Sequence, residues 1–298
     1  LHSLPEPPAA VYLTSPDYLG GMAEIPALAQ VCHQHGTLLL VDNAHGAYLR
    51  FLEPSLHPLD LGADLCCDSA HKTLPVLTGG AYLHLSPAAP AWLAAMAKSA
   101  LGLFGSTSPS YLTLASLDLC NRYLAEGYPQ RLAETVGRLE GLREKLAAAG
   151  WQVESSDPLR VTVAAPSEVT GQKLAQRLRR QGVECEYADR DFLVLMATPE
   201  NTPEDLARAA AALGTCPGQP KPLQLPLARG EQACSIRQAA FSFRETVAAA
   251  DSLGRICGLP AVGCPPAIPI AVSGEQIAPE ALALFEYYGI SQVEVLVE

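Results

Sequence analysis

The chain has 298 residues, of which 49% are hydrophobic and 17% charged, ample for a large core and unlike a disordered polymer. Its formal net charge of -11 argues against a nucleic-acid or anionic-membrane partner, because either would need a basic face. No apolar run reaches the roughly 18 residues that a membrane span needs, and the start lacks the regions of a signal peptide.

Nine cysteines are scattered, odd in number and free of any CxxC pair, which fits a reduced, cytoplasmic setting rather than a disulfide framework. Cys66 and Cys67 sit in an apolar stretch and read as small core hydrophobes. His33 and His35 have no third ligand nearby and read as surface or helix-end histidines, so no metal site is expected. The first strand follows Leu1 almost at once, and the expectation is a chain whose front lies outside this sequence.

Short apolar strands alternating with helical patterns predict an α/β domain with a parallel sheet. Residues 10–14 read as a strand, 24–35 as a helix stopped by Gly36, and 37–41 as a strand buried on both faces. A further strand at 63–67 runs into Asp68, and Gly79-Gly80 opens another at 81–85. Helices are expected around 90–101 and 109–126, then a long connecting helix over 128–149. Residues 151–213 read strand (151–155), strand (160–165), helix (168–181), strand (192–196) and helix (203–213). After a Pro/Gly-rich linker at 216–226, the tail is expected to hold a helix at 244–249, a Pro-rich loop and a final strand. The domains follow as 1–127, 128–215 and 216–298.

Two polar clusters stand at the carboxyl ends of apolar strands, Asp42-Asn43-Ala44-His45 and Asp68-Ser69-Ala70-His71-Lys72. In an open parallel sheet those ends line the ligand crevice. Pyridoxal phosphate (PLP) chemistry needs a lysine to hold the cofactor, a carboxylate beside the pyridine nitrogen, and donors for the phosphate. Lys72 can supply the first, Asp42 the second, and Ser69 with His71 part of the third. Taken alone, an Asp at a strand end also serves as a helix N-cap, and a lone Lys as a solvated surface residue.

The motifs DNAHGAY at 42–48 and DSAHKTLPVLTGGAYLH at 68–84 resemble the Orn/Lys/Arg decarboxylase family, in its shorter bacterial, arginine-decarboxylase-like branch. TSPDYLGG at 14–21 and FGSTSPSYLTLASLD at 104–118 fit the same pattern. The resemblance implies part of a fold-type I, PLP-dependent large domain with a mostly parallel sheet, followed by smaller α+β domains. It implies that Lys72 is the attachment point of the cofactor, that Asp42 pairs with its ring nitrogen, and that Ala44 packs under the ring. His45 would lie beside the attachment, while Ser69 and His71 would bind phosphate. Thr107 or Ser108 would reach a partner subunit's phosphate, or else cap the helix that follows.

The implied function is decarboxylation of arginine, lysine or ornithine to a polyamine-type amine and carbon dioxide, by a homodimer or larger homo-oligomer. Two features depart from the family. Its phosphate loop and ring-stacking residue are absent from these residues. In the tail, Leu259, Cys264 and Ala267 stand where the family carries an acid, a tyrosine and a glycine, which leaves the substrate open. The rival readings are another PLP enzyme, such as an aminotransferase or lyase, and a non-catalytic dimerisation module.

Overall fold

A computed structural model describes residues 1, 3–219, 227–259, 261–262 and 269–297. The chain opens with β1 (Ala10–Thr14), α1 (Ile25–Gln34), β2 (Leu38–Asp42), β3 (Leu65–Asp68), α2 (Ala70–Thr73) and β4 (Tyr82–Leu85). These strands form one sheet in the order β1-β2-β3-β4. β1 and β2 are parallel with Thr14 opposite Asp42, and β2 and β3 are parallel with Asp42 opposite Cys67. Their carboxyl ends therefore lie side by side.

α1 buries Ile25, Ala29 and Cys32, spaced to form one helical stripe, against Leu39, Val41 and Cys66 of the sheet. Gly36 adopts φ 65°, the left-handed conformation that ends a helix without a side-chain clash. The opposite face of the sheet is less covered. Leu38 and Leu40 are half-buried and Tyr12 is 64% exposed, so β2 alternates in burial instead of being buried on both faces.

β4 runs antiparallel to β3, with Asp68 opposite Tyr82, so the sheet is mostly parallel with one antiparallel edge strand. The reason is the link between them. α2 is a single turn, and a parallel return needs a full crossover, usually a helix.

α3 (Ala91–Phe104), α4 (Tyr111–Ala125) and α5 (Tyr128–Ala148) follow. α5 buries Leu132, Leu139, Leu142 and Leu146 along one stripe. Then come β5 (Arg160–Ala164), α6 (Gly171–Arg180), β6 (Tyr187–Ala188), β7 (Phe192–Met196) and α7 (Pro203–Leu213). β5, β7 and β6 make a sheet in that order. The strand expected at 151–155 is not formed beyond a single bridge residue, Val153. That segment is used for anchoring. Trp151 is buried with Nε1 donating to the Gly214 carbonyl at 2.8 Å, and the next turn donates Ser156 and Asp157 N–H groups to the Gly20 carbonyl at 3.0 and 2.8 Å.

The tail holds α8 (Ile236–Phe241), β8 (Arg244–Ala248), β9 (Ala261–Val262), β10 (Ala271–Val272), α9 (Pro279–Tyr288) and β11 (Gln292–Leu296). The helix expected at 244–249 is a strand, because β8 pairs antiparallel with β11 and Thr246 and Val247 suit that pleat. The helix comes earlier, started by the reciprocal capping box of Ser235 and Gln238. α9 was not foreseen, although Pro279, Glu280 in its first turn and a left-handed Gly289 at φ 70° are start and stop signals.

The chain divides into two compact units, Leu1–Thr162 with Val194–Thr215, and Val163–Leu193 with Cys216–Glu298. The 128–215 segment, expected as one small domain, is shared between them. Among the described residues no helix is long and apolar enough to cross a membrane.

Candidate active site

The first unit gathers most of the residues singled out in the sequence at the ends of β2 and β3. Asp42 is the last residue of β2, and its carboxylate turns away from α1. Oδ1 accepts the Ala44 N–H at 3.0 Å and lies 3.9 Å from Cys67 Sγ, while Oδ2 accepts the Tyr12 hydroxyl at 3.1 Å. Partial burial and then the charge of Asp42 push the Tyr12 phenol up to about 12, so it stays a donor.

His45 follows in a tight turn whose shape requires Gly46. A Cβ at that position would run into the Asn43 side chain and Leu49. The His45 ring is buried, with Nε2 3.1 Å from Lys72 Nζ. Tyr18 meets it edge-on with ring centroids 5.2 Å apart. Burial, then the charges of Arg160, Lys72 and His71, drive its pKa from 6.5 down to about 3. The imidazole is therefore neutral at pH 7. Facing an amine, Nε2 is the acceptor and the ring proton resides on Nδ1, a buried atom with no hydrogen-bond partner.

Lys72 lies on the one-turn helix α2, four residues past the end of β3, rather than on a strand. Ser69 is the N-cap of that turn but makes no side-chain capping bond. His71 is fixed by Nδ1–H donating to the Gly80 carbonyl at 3.1 Å. Thr107 and Ser108 lie in the exposed loop between α3 and α4, and no contact connects either with Lys72 or His45. Neither caps α4. Ser110 does so, accepting the Thr113 N–H at 3.4 Å.

Three neighbours of the site were given no site role by the sequence, although Tyr18 falls within the TSPDYLGG stretch. Tyr12 and Tyr18 touch Asp42 and His45 directly. Arg160 is 1% exposed, lies 3.5 Å from Asp157 Oδ2 and donates to the Asp17 carbonyl, and its charge reaches His45. The β5 pattern shows Arg160 only as a strand start, so nothing local announces it.

On the α1 side of the sheet end, Asp68 accepts Asn43 Nδ2–H on Oδ1 at 2.7 Å and His57 Nε2–H on Oδ2 at 3.1 Å. His84 Nε2 lies 3.2 Å from the same Oδ2. Burial alone would raise the Asp68 pKa, but these contacts outweigh it and hold the carboxyl far below the ordinary range. His33, by contrast, sits in the last turn of α1 with Nε2 3.0 Å from Asp64 Oδ2.

Residues 4–173, more than half of the chain, match the model of the Orn/Lys/Arg decarboxylase major domain. The chain belongs to the Orn/Lys/Arg decarboxylase family. An uncharacterised Bacillus subtilis protein, YaaO, is 29% identical over 300 residues, covering 91% of this chain and 60% of its own length. The Bacillus subtilis arginine decarboxylase is 27% identical, covering 90% of this chain and 59% of its own length. The chain thus spans about 60% of the length of the curated relatives it matches. In structure, the Francisella novicida lysine decarboxylase superposes with a TM-score of 0.76 at 14% identity, over 97% of this chain and 57% of that one. The α/β fold expected from the sequence is therefore the fold of this decarboxylase family.

Proposed function

We propose that the protein carrying this chain is a PLP-dependent decarboxylase of arginine, lysine or ornithine, with Lys72 as the cofactor lysine. One observation carries the reading: the Lys72 amine stands 3.1 Å from a neutral, buried His45, beside the strand end that presents Asp42. The residues present fit the cofactor. An orphaned buried His45 Nδ1, an uncapped Ser69 hydroxyl and a carboxylate already held by two donors are groups that a bound molecule would complete.

Lys72 would hold the cofactor, Asp42 its ring nitrogen, Ala44 the underside of its ring, and Ser69 and His71 part of its phosphate. When bound, pyridoxal phosphate supplies a cationic ring that accepts the electron pair released as the substrate carboxylate leaves. Asp42 would favour a protonated ring nitrogen, since an opposite charge held beside a base stabilises its cationic form. His45 Nε2 accepts a hydrogen bond from Lys72 Nζ and orients that amine, and either of the pair would return a proton to the α-carbon. The products would be a polyamine-type amine and carbon dioxide.

The fold and family support a homodimer or larger assembly, and the exposed Leu103, Phe104, Tyr111 and Leu112 around the α3–α4 loop supply apolar surface for one. The partner role of Thr107 or Ser108 belongs to that assembly, since both hydroxyls lie in this loop.

Incubation with PLP followed by borohydride should leave a pyridoxyl group on Lys72, read by peptide mass mapping. Carbon dioxide release from arginine, lysine and ornithine, measured beside keto-acid formation, gives the reaction and the substrate. Labelling of Lys98 or Lys145 with Lys72 untouched would defeat the assignment.

A further inference from the structure

Behind the face that carries Asp42, three side chains from three separate segments converge. His57 comes from the loop before β3, Asp68 ends β3, and His84 stands on β4. His57 Nε2 and His84 Nε2 lie 3.1 and 3.2 Å from one oxygen, Asp68 Oδ2, and the three atoms are all within 4.8 Å of one another. We propose that His57, Asp68 and His84 form a binding site for a divalent transition-metal ion of the zinc class.

The separations fit such an ion. Bonds of about 2.0–2.2 Å in a tetrahedral shell put neighbouring ligand atoms roughly 3.4 Å apart. Both nitrogen–oxygen separations are within about 0.3 Å of that, so small side-chain rotations admit the ion. Two imidazoles and one carboxylate also match zinc's preference, and three protein ligands leave one position open.

The surroundings point the same way. Asp68 and His57 are buried, with side chains 4% and 5% exposed. Among the described residues no Lys or Arg pairs with Asp68, so a buried carboxylate faces two imidazoles, an amide and the Cys66 thiol, 3.8 Å from Oδ1, but no cation of fixed charge. A buried charge without a permanent counter-ion is costly, and a divalent cation supplies one. Asn43 Nδ2 holds the other carboxylate oxygen at 2.7 Å, the outer-shell contact that orients a ligating carboxylate. The His84 side chain is 38% exposed and provides the way in. Cys66 Sγ is 3.7 Å from His57 Nε2, but it does not join the mutually close set. A bound ion would tie the 52–64 loop, β3 and β4 together just before the turn that carries Lys72. The proposal does not depend on the decarboxylase reading.

The test uses the full chain stripped with a chelator and titrated with cobalt(II), followed by difference spectra that remove any cofactor absorption. The expected result is one cobalt per chain with the visible bands of a four-coordinate site, abolished by zinc. Zinc about a hundred-fold above its Kd should raise Tm by roughly 5 °C. His84→Ala, chosen because a partly exposed side chain leaves little cavity, should lose both the bands and the shift. Asp68→Asn should do the same, and if it fails to fold, His84→Ala carries the test alone. Absence of binding in the parent chain would overturn the proposal. So would equal binding by His84→Ala, which would remove His84 from the ligands, or a sulfur-to-cobalt charge-transfer band, which would place the ion on cysteines.

Discussion

Two polar clusters flank the ends of β2 and β3 on opposite faces of the sheet, and they are built on different principles. On one face, Asp42, His45 and Lys72 stand half-satisfied. His45 Nδ1 has no partner, Ser69 makes no capping bond, and His45 is held neutral at a pH where free histidine titrates. On the other face, the Asp68 carboxylate is already approached by Asn43, His57 and His84 from three segments, and its pKa is driven down. The pleat explains how both fit in four residues of strand, because Cys67 faces Asp42 while Cys66 and Asp68 face the core. The first cluster offers its open groups to a reacting molecule. The second ties a loop and two strands together, with or without a bound ion, and its loss should be felt in stability first.

That contrast predicts opposite outcomes for variants on the two faces. Lys72→Ala should lower decarboxylation by at least about 10³-fold, roughly 4 kcal/mol of barrier, with the urea midpoint unchanged. Asp42→Asn should cost about 10²-fold, near 3 kcal/mol, with a cofactor absorption spectrum altered by loss of the ring-nitrogen partner. Asp68→Ala, assayed in chelator, should instead remove about 3 kcal/mol of stability, because His57 and Asn43 would be left as buried donors without an acceptor. A variant of Asp68 that spared stability while abolishing turnover would collapse the distinction between the faces.

The half of the story that was readable in advance shares one property: it is local. β1, α1, β2 and β3 follow from apolar runs with Gly36 as a stop, and Asp42, His45 and Lys72 from motifs a few residues long. What was missed is non-local. His57, Asp68 and His84 come from a loop and two strands with no ligand-like spacing. Arg160 and Tyr12 meet the site only through packing. In the tail, β8 is a strand because β11 is available to pair with it, and Arg244–Ala248 alone does not reveal that. The capping box at Ser235 and Gln238, by contrast, is a local start signal for α8. Leu259, where the family carries an acid, packs against the apolar cluster of Ile270, Ile277 and Phe285. Cys264 and Ala267 lie outside the described residues.

His45 gives a smaller effect with a defined pH window. Its pKa is lowered to about 3 in the fold and lies near 6.5 in the unfolded chain, so below roughly pH 6.5 the unfolded state binds the extra proton. The contribution is fully present above that value and declines as pH falls toward 3, by up to about 1.4 kcal/mol per unit. His45→Gln should flatten this part of the stability profile in urea melts at pH 4 to 7. An unchanged slope would mean that His45 is not held neutral by its surroundings.

The smallest effect concerns Tyr12, and it sharpens the comparison from the incomplete side. Its hydroxyl donates to Asp42 Oδ2 at 3.1 Å from a largely exposed ring, and one exposed hydrogen bond is worth about 0.5–1 kcal/mol. Tyr12→Phe keeps the ring, deletes the donor and leaves the Ala44 N–H at 3.0 Å as the remaining anchor on Oδ1. Two effects then oppose each other. The carboxylate becomes a stronger base toward a cationic ring nitrogen, yet it is less firmly oriented. The expected outcome is a change in kcat/KM of less than about five-fold, with stability within roughly 1 kcal/mol of the parent. A loss as large as that of Asp42→Asn would mean that the phenol shares the work of the carboxylate, and Tyr12 would then have to be counted among the residues that touch the reacting group.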